Sequence, residues 1–355
     1  MVKSQCENEC FINDCDNMDI NRSSFCTTDN VLLSFQYCEK KIKFTCSCFA
    51  NNCGPSVILI PGIGYDSNYW LCLFKKLCPI ANVYALDLYG SGISKYDTNP
   101  ERVTLDRLTQ DIVDFLNVLN LDEVYMVGHG FGGLLALNFA AIHSDRIIRL
   151  AVSGTSANFV SDTGKTKELN ECTISPEILQ LLKEALAIPT PCPETLKKIM
   201  ISINNLIDPI DCNINDLLVE QYIDTLDMYR LYYDALTINI ETIIPQISVP
   251  VLIMAGTRDS LAPLCAAEFL NKNIQNSALV EFYGQGNNFP ILDYGLYNKN
   301  VFNFFFVKCD PCCAFFETIL VNKQEKYECF GLINNINPCQ NDYGCNKIKI
   351  PPFYT

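Results

Sequence analysis

The chain has 355 residues, 49% of them hydrophobic and 19% charged, a balance that suits a packed core and excludes wholesale disorder. Its net charge of −14 leaves no basic excess for nucleic acid or an anionic membrane surface, so neither is expected as a partner. Residues 1–30 lack the apolar stretch of a secretory signal, and no apolar run is long enough to span a bilayer, so the expected location is cytoplasmic.

In chain order, residues 1–30 form a polar, Cys-bearing arm. The β-rich runs at 31–37 and 42–48 are spaced as an edge hairpin. Residues 56–60 (Ser-Val-Ile-Leu-Ile) are almost continuously apolar, as in a strand covered on both faces, and end in Pro61-Gly62-Ile63-Gly64. A helix is predicted over 68–77, then a buried strand over 83–88 that runs into Asp87-Leu88-Tyr89-Gly90-Ser91-Gly92-Ile93-Ser94. Thr104 is placed to cap a helix whose Leu105, Leu108, Ile112, Phe115, Leu116 and Leu119 share one face.

The next stretch organises the rest. Val124-Tyr125-Met126-Val127 ends at Gly128-His129-Gly130-Phe131-Gly132-Gly133 and gives way to small residues up to Ala141: a strand, a tight elbow and a helix close to the sheet. A further strand is predicted over 148–153. Strands alternating with helices make the class α/β, with a mostly parallel sheet of about eight strands covered by helices on both faces.

From 159 to 247 the pattern turns helical, with predicted helices over 176–187, 194–203 and 216–236. Such an insertion sits as a cap over the C-terminal strand ends, where open α/β sheets bind ligands. The core, 31–158, resumes over 248–305 with a strand at 249–255 ending in Gly256-Thr257-Arg258-Asp259-Ser260, a helix at 263–270 opened by Pro263, a strand at 278–283, the turn Gly284-Gln285-Gly286-Asn287-Asn288-Phe289-Pro290, and a helix at 294–305. Residues 306–355 are a Cys- and Asn-rich tail with no assigned structure.

Four of these stretches, in order, resemble the α/β-hydrolase fold in its capped, esterase-like branch: the turn 61–64, the loop 87–94, the elbow 128–133 and the acid-bearing turn 256–259. The likeness covers roughly residues 31–305. It implies a nucleophile at Gly130, where active members follow G-x-S-x-G, an acid at Asp259, and a histidine at Asn287 or, given the adjacent Phe289-Pro290, at Asn288. It implies oxyanion donors at the backbone N–H groups of Ile63 and Phe131, which depend on backbone shape and survive side-chain loss.

Two of the three triad positions therefore depart from the family. Glycine has no nucleophile, and an amide is no base near neutral pH. His129, inside the elbow, reads as packed and hydrogen-bonded, and His143 as a helix-end residue favoured by the dipole. The expectation is a pseudoenzyme that binds a small apolar, carbonyl-containing or lipid-like molecule or a protein partner, without a cofactor. One alternative is an unorthodox ester hydrolase or lyase using Asp259 and the backbone oxyanion hole; another is a Cys-flanked metal-binding or scaffold protein.

Twenty cysteines bear on that last reading, eight within 6–53 and six within 309–345. The Cys309-x2-Cys312-Cys313 and Cys46-x-Cys48-x4-Cys53 spacings lack paired knuckles and a nearby histidine, so no metal site is assigned. Without a signal peptide, the thiols are expected to be reduced. Asp259 has a structural reading too, as a turn carboxylate accepting hydrogen bonds beside Arg258 and Ser260.

Overall fold

The computed structural model describes residues 21–26, 31–38, 55–159 apart from 90, 92, 93 and 97–102, then 172, 174, 176–187, 198, 202, 206, 235, 238–306 and 319–321. Its strands are β1 (Asn21–Cys26), β2 (Val31–Cys38), β3 (Ser56–Ile60), β4 (Asn82–Leu86), β5 (Lys95–Tyr96), β6 (Val124–His129), β7 (Ile147–Ser153), β8 (Val251–Gly256), β9 (Ser277–Phe282) and β10 (Ile319–Val321). They join one sheet in the order β1-β2-β4-β3-β6-β7-β8-β9-β10, with β5 also on β2.

Pairing is parallel from β4 across to β10 and antiparallel at the β1–β2, β2–β4 and β2–β5 contacts. The α/β class holds, with ten strands among the described residues against the expected eight or so. The surplus is short or peripheral: β5 has two residues, β1 lies in the expected arm and β10 in the expected tail. β1 and β5 lack the continuous apolar signal that marks a strand buried on both faces, and the three residues of β10 are too few to carry one. The partner of β2 is accordingly β1, and the predicted strand at 42–48 lies outside the described residues.

Every residue of β3, β4 and β8 is buried, because helices cover both faces. These include α1 (Leu71–Leu77), entered through a 3-10 turn at Ser67–Trp70, and α2 (Leu105–Val118). Thr104 caps α2 as expected, its side chain accepting from Arg107 N at 3.2 Å.

The central helix is α3 (Phe131–Ile142), buried on nearly all sides. Burial of Leu134, Leu135, Leu137 and Phe139 stabilises the core by roughly 1.5–3 kcal/mol per side chain. Its approach to the sheet depends on missing Cβ atoms: one on Gly132 would collide with the carbonyl groups of Ile60 and Pro61, and one on Gly128 with Gly132 and Gly133.

After β7 the chain leaves the sheet. Helix α4 (Pro176–Leu186) matches the first predicted helix of the insertion; the other two fall outside the described residues apart from isolated positions. The ends of the insertion are stitched together: Asn158 bridges Asn239, Ile240 N donates to Ala157 O at 2.9 Å, and Asn158 Nδ2 donates to Glu241 Oε1 at 3.0 Å. The remaining helices are α5 (Leu264–Asn273), with Pro263 at its N-cap rather than in its first turn, α6 (Phe289–Leu292) and α7 (Tyr294–Phe306). No described helix is long and apolar enough to cross a membrane.

The expectation of reduced thiols fails at Cys172 and Cys265, which form a disulfide across 93 residues of sequence; Cys72 and Cys78 are also disulfide-bonded. Tertiary folding brings Cys172 and Cys265 to a Cα separation of 5.9 Å, a proximity that no local spacing reveals.

Candidate functional site

The site lies at the C-terminal ends of the parallel strands, where β3, β6, β7, β8 and β9 each deliver a turn. At the tip of the elbow, Gly130 has φ 54° and ψ −122°, a left-handed region that costs a residue with a Cβ roughly 1–3 kcal/mol. Gly130 N donates to Ser153 O at 2.9 Å, while Gly133 N and Leu134 N return to Gly130 O, so the turn is held from both sides. Space is not what excludes a side chain here. A Cβ on Gly130 would meet only Gly62 Cα, at 3.8 Å.

The turns after β8 and β9 bring together the acid and histidine positions of the resemblance. Asn287 Nδ2 donates to Asp259 Oδ2 at 2.7 Å and to Gly154 O at 3.1 Å. Asp259 Oδ1 accepts from Leu261 N at 2.9 Å and Ala262 N at 2.8 Å. The carboxylate thus has turn donors, as its structural reading held, but these are Leu261 and Ala262, with Asn287 as a third partner.

Asn288 turns elsewhere. Its Oδ1 accepts from Tyr65 OH at 3.1 Å, tying the β9 turn to the loop after β3. Of the two candidates for the histidine position, Asn287 is therefore the one facing the acid.

Ile63 and Phe131 lie on the two loops that face each other across Gly62 and Gly130. Phe131 is the first residue of α3, so its N–H belongs to the set of helix-start donors that have no intrahelical acceptor. The loop carrying Ile63 is turned by a Tyr65 N to Gly62 O bond of 3.3 Å. It is also braced from below: Ser67 N donates to Asp87 Oδ1 at 2.7 Å, and Ser94 Oγ to Asp87 O at 2.8 Å.

Sequence reasoning missed the polar chain beneath the elbow. Tyr297 OH lies 3.2 Å from Ser153 Oγ, which lies 3.2 Å from His129 Nδ1, and His129 is hydrogen-bonded to the Asn287 side chain. Both Asn287 Nδ2 hydrogens go to Asp259 and Gly154, so Oδ1 is the atom left for His129. A buried network thus runs from Tyr297 on α7 to Asp259 on the β8 turn. The local clue is Ser153-Gly154-Thr155-Ser156, a run of small residues at a strand end; a Cβ on Gly154 would press into Asn287 Nδ2 at 2.6 Å and His129 Cε1 at 3.0 Å.

Burial pushes the His129 imidazole down to about 3, against the opposing pull of its bonds to Ser153 and Asn287. It is neutral at pH 7, stacked on Tyr69 at 4.9 Å and edge-on to Trp70 at 6.5 Å. Ser153 does pair with a histidine, but it is wholly buried and cannot meet a substrate. His143, the other histidine of the chain, follows the far end of α3, about 18 Å along the helix from the elbow. Burial also raises the Tyr297 hydroxyl, keeping it protonated.

A family model described as alpha/beta hydrolase fold matches residues 55–173, the segment from β3 through the elbow into the insertion. The chain has the α/β-hydrolase fold. Solved structures with this fold align over most of its length: a hydrolase from Pseudomonas aeruginosa PA01 has a TM-score of 0.63 at 18% identity, covering 81% of this chain and 99% of that one. The esterase EaEST from Exiguobacterium antarcticum has a TM-score of 0.66 at 15% identity, covering 79% and 98%.

Among curated relatives of this hydrolase-fold chain, the uncharacterized protein Rv2715 of Mycobacterium tuberculosis is 26% identical over 261 residues, 68% of this chain and 72% of the relative. The 1-acylglycerol-3-phosphate O-acyltransferase ABHD5 of Sus scrofa is 33% identical over 97 residues, 26% and 28% of the two chains. Among the described residues of the hydrolase-fold chain, no group of three or more His, Cys, Asp or Glu could hold a metal ion. The Cys309–Cys345 cluster and six of the eight cysteines within 6–53 lie outside those residues.

Proposed function

We propose that this protein is a hydrolase-fold pseudoenzyme that binds a small apolar or carbonyl-containing molecule at the elbow and does not turn it over. The observation that carries this reading is the pairing of Asn287 with Asp259 at 2.7 Å beside a Gly130 that has no side chain. An amide stands where the proton-transferring imidazole belongs, and nothing stands where the nucleophile belongs. The oxyanion donors of Ile63 and Phe131 belong to the backbone, so loss of the triad side chains leaves a place for a carbonyl oxygen. The partial likeness to an acylglycerol-phosphate acyltransferase supports lipid-like molecules as the first class to screen.

An unorthodox hydrolase with Asp259 as base is less well supported, because that carboxylate is engaged by two backbone N–H groups and Asn287. Hydrogen bonds to the charged form favour it and weaken it as a base. Hydrolysis of short- and long-chain nitrophenyl esters by the purified protein, with Asp259→Ala beside it, separates the two readings. The pseudoenzyme predicts no turnover above buffer in either protein, together with saturable thermal stabilisation by a member of a lipid and carbonyl-compound panel. Turnover abolished by Asp259→Ala would reverse that assignment.

A further inference from the structure

We infer that the Cys172–Cys265 disulfide is a redox latch holding the segment that leads into α4 against the helix that follows the acid-bearing turn. Among the described residues, the ties between the insertion and the sheet domain include a backbone bond from Ile174 N to Phe159 O at 3.3 Å, the apolar packing of Ile174 and Ile178, and three further contacts. One is the stalk where the chain leaves and re-enters, around Asn158, Asn239 and Glu241. The second is an exposed hydrogen bond from Ser260 Oγ to Leu206 O at 3.1 Å. The third is the disulfide, which pins the segment leading into α4 to the second residue of α5.

That anchor point matters for the site. Asp259 accepts from Leu261 and Ala262, and Ala262 lies three residues before Cys265, so the latch ends on the segment that positions the acid. Cys172 is buried together with Ile174 and Ile178, whereas Cys265 is half-buried.

The chemistry is thiol–disulfide exchange with a dithiol reductant. One thiolate of the reductant attacks a latch sulfur, the Cys172–Cys265 bond breaks, and a mixed disulfide forms. The second thiolate of the reductant displaces the protein sulfur, leaving two protein thiols and an oxidised cyclic disulfide; two electrons pass from reductant to protein. The position of Cys265 in the first turn of α5 favours its thiolate as a product.

With the latch closed, the start of the segment leading into α4 is tied to α5 by the disulfide and to Phe159 O by Ile174 N. With it open, the segment keeps the Ile174 N to Phe159 O bond and the apolar packing of Ile174 and Ile178 but loses its covalent tie to α5, so it loosens without unfolding the sheet domain. This inference stands apart from whether the site binds or turns over its ligand.

Hydrogen exchange of the full-length protein tests it, with dithiothreitol as reductant and Cys172→Ser/Cys265→Ser beside wild type. Reduction of wild type is expected to speed exchange over 174–187 by about tenfold or more while β6, β7 and β8 keep their protection. The double variant is expected to exchange at the reduced rate in both conditions. Equal rates over 174–187 in oxidised and reduced wild type would overturn the latch, as would a double variant that still responds there. Peptide mapping of the oxidised protein adds an arm that needs no variant: absence of the Cys172–Cys265 cross-linked peptide rejects the pair itself.

Discussion

Asn287 Nδ2 sits 2.7 Å from Asp259 Oδ2, a bond from an amide to the carboxylate of the β8 turn. In the proposed reading, that amide keeps the bond a histidine would make and supplies no base. The elbow parallels it: the backbone of Gly130 holds the strained turn that presents a nucleophile, with φ 54°, yet presents none. Geometry and chemistry have separated at both positions, and each can be probed alone.

Rebuilding both is expected to be necessary and sufficient for turnover. Gly130→Ser has room for its Cβ and costs about 1–3 kcal/mol in backbone strain, and Asn287→His keeps a ring nitrogen facing Asp259. Neither single variant should hydrolyse nitrophenyl acetate above buffer, because a serine without a base and a base without a serine are both inert. The double variant should exceed buffer by about 100-fold or more, since triad groups act as a unit. A folded but silent double variant would mean that these two positions are not the triad sites.

Removing the Asn287 amide should destabilise the fold. Asn287→Ala leaves Gly154 O and one side of Asp259 without their donor, at a cost of about 1–3 kcal/mol measured by urea unfolding at pH 7. Asn287→Asp should be worse at pH 7, because it sets a carboxylate beside a carboxylate in a buried site. Like charge raises the pKa of such a pair, so its deficit relative to wild type should shrink as the pH falls toward 5. A deficit independent of pH would mean that the two side chains do not face each other.

Glycines of the elbow should rank sharply. Gly132→Ala drives a Cβ into the backbone carbonyls of Ile60 and Pro61, which cannot move without disturbing β3, so a loss above about 3 kcal/mol or failure to fold is expected. Gly130→Ala meets nothing closer than 3.8 Å and bears only its torsional cost, roughly 1–3 kcal/mol. Thermal melts of the two variants check the order.

His129 should contribute to the acid sensitivity of the protein. Its folded-state pKa of about 3 lies below the unfolded value near 6.5, so the unfolded chain binds the proton that the folded chain excludes. Its term is absent above about pH 6.5. As the pH falls below that, stability is lost at about 1.4 kcal/mol per unit until the folded-state pKa is reached. His129→Gln should flatten the stability profile between pH 6.5 and 4 relative to wild type, whatever it costs at pH 7. Parallel profiles would remove this role from His129.

The sequence determined the local signals. Apolar runs at 56–60 and 124–127 are strands because only β-rich, uncharged segments fit a sheet covered on both faces. Glycines at 128 and 132 mark the elbow because a Cβ there would strike the backbone of Gly132 and Gly133 or the carbonyls of Ile60 and Pro61. One at 133 would press on Thr155, and glycine at 130 relieves the torsional cost of the turn. Absence of a serine at 130 and of a histidine at 287 was legible at once, as a matter of composition at two positions.

Only the tertiary structure decided which groups meet. Asn287 rather than Asn288 faces Asp259, and Tyr65 occupies the other, because the β9 turn sends neighbouring side chains to different loops. Tyr297, Ser153 and His129 become one network, and Cys172 finds Cys265, through contacts between segments separated by 24 to 144 residues. Such contacts depend on how strands and helices are stacked and on nothing within a local window, so periodicity and spacing leave no trace of them.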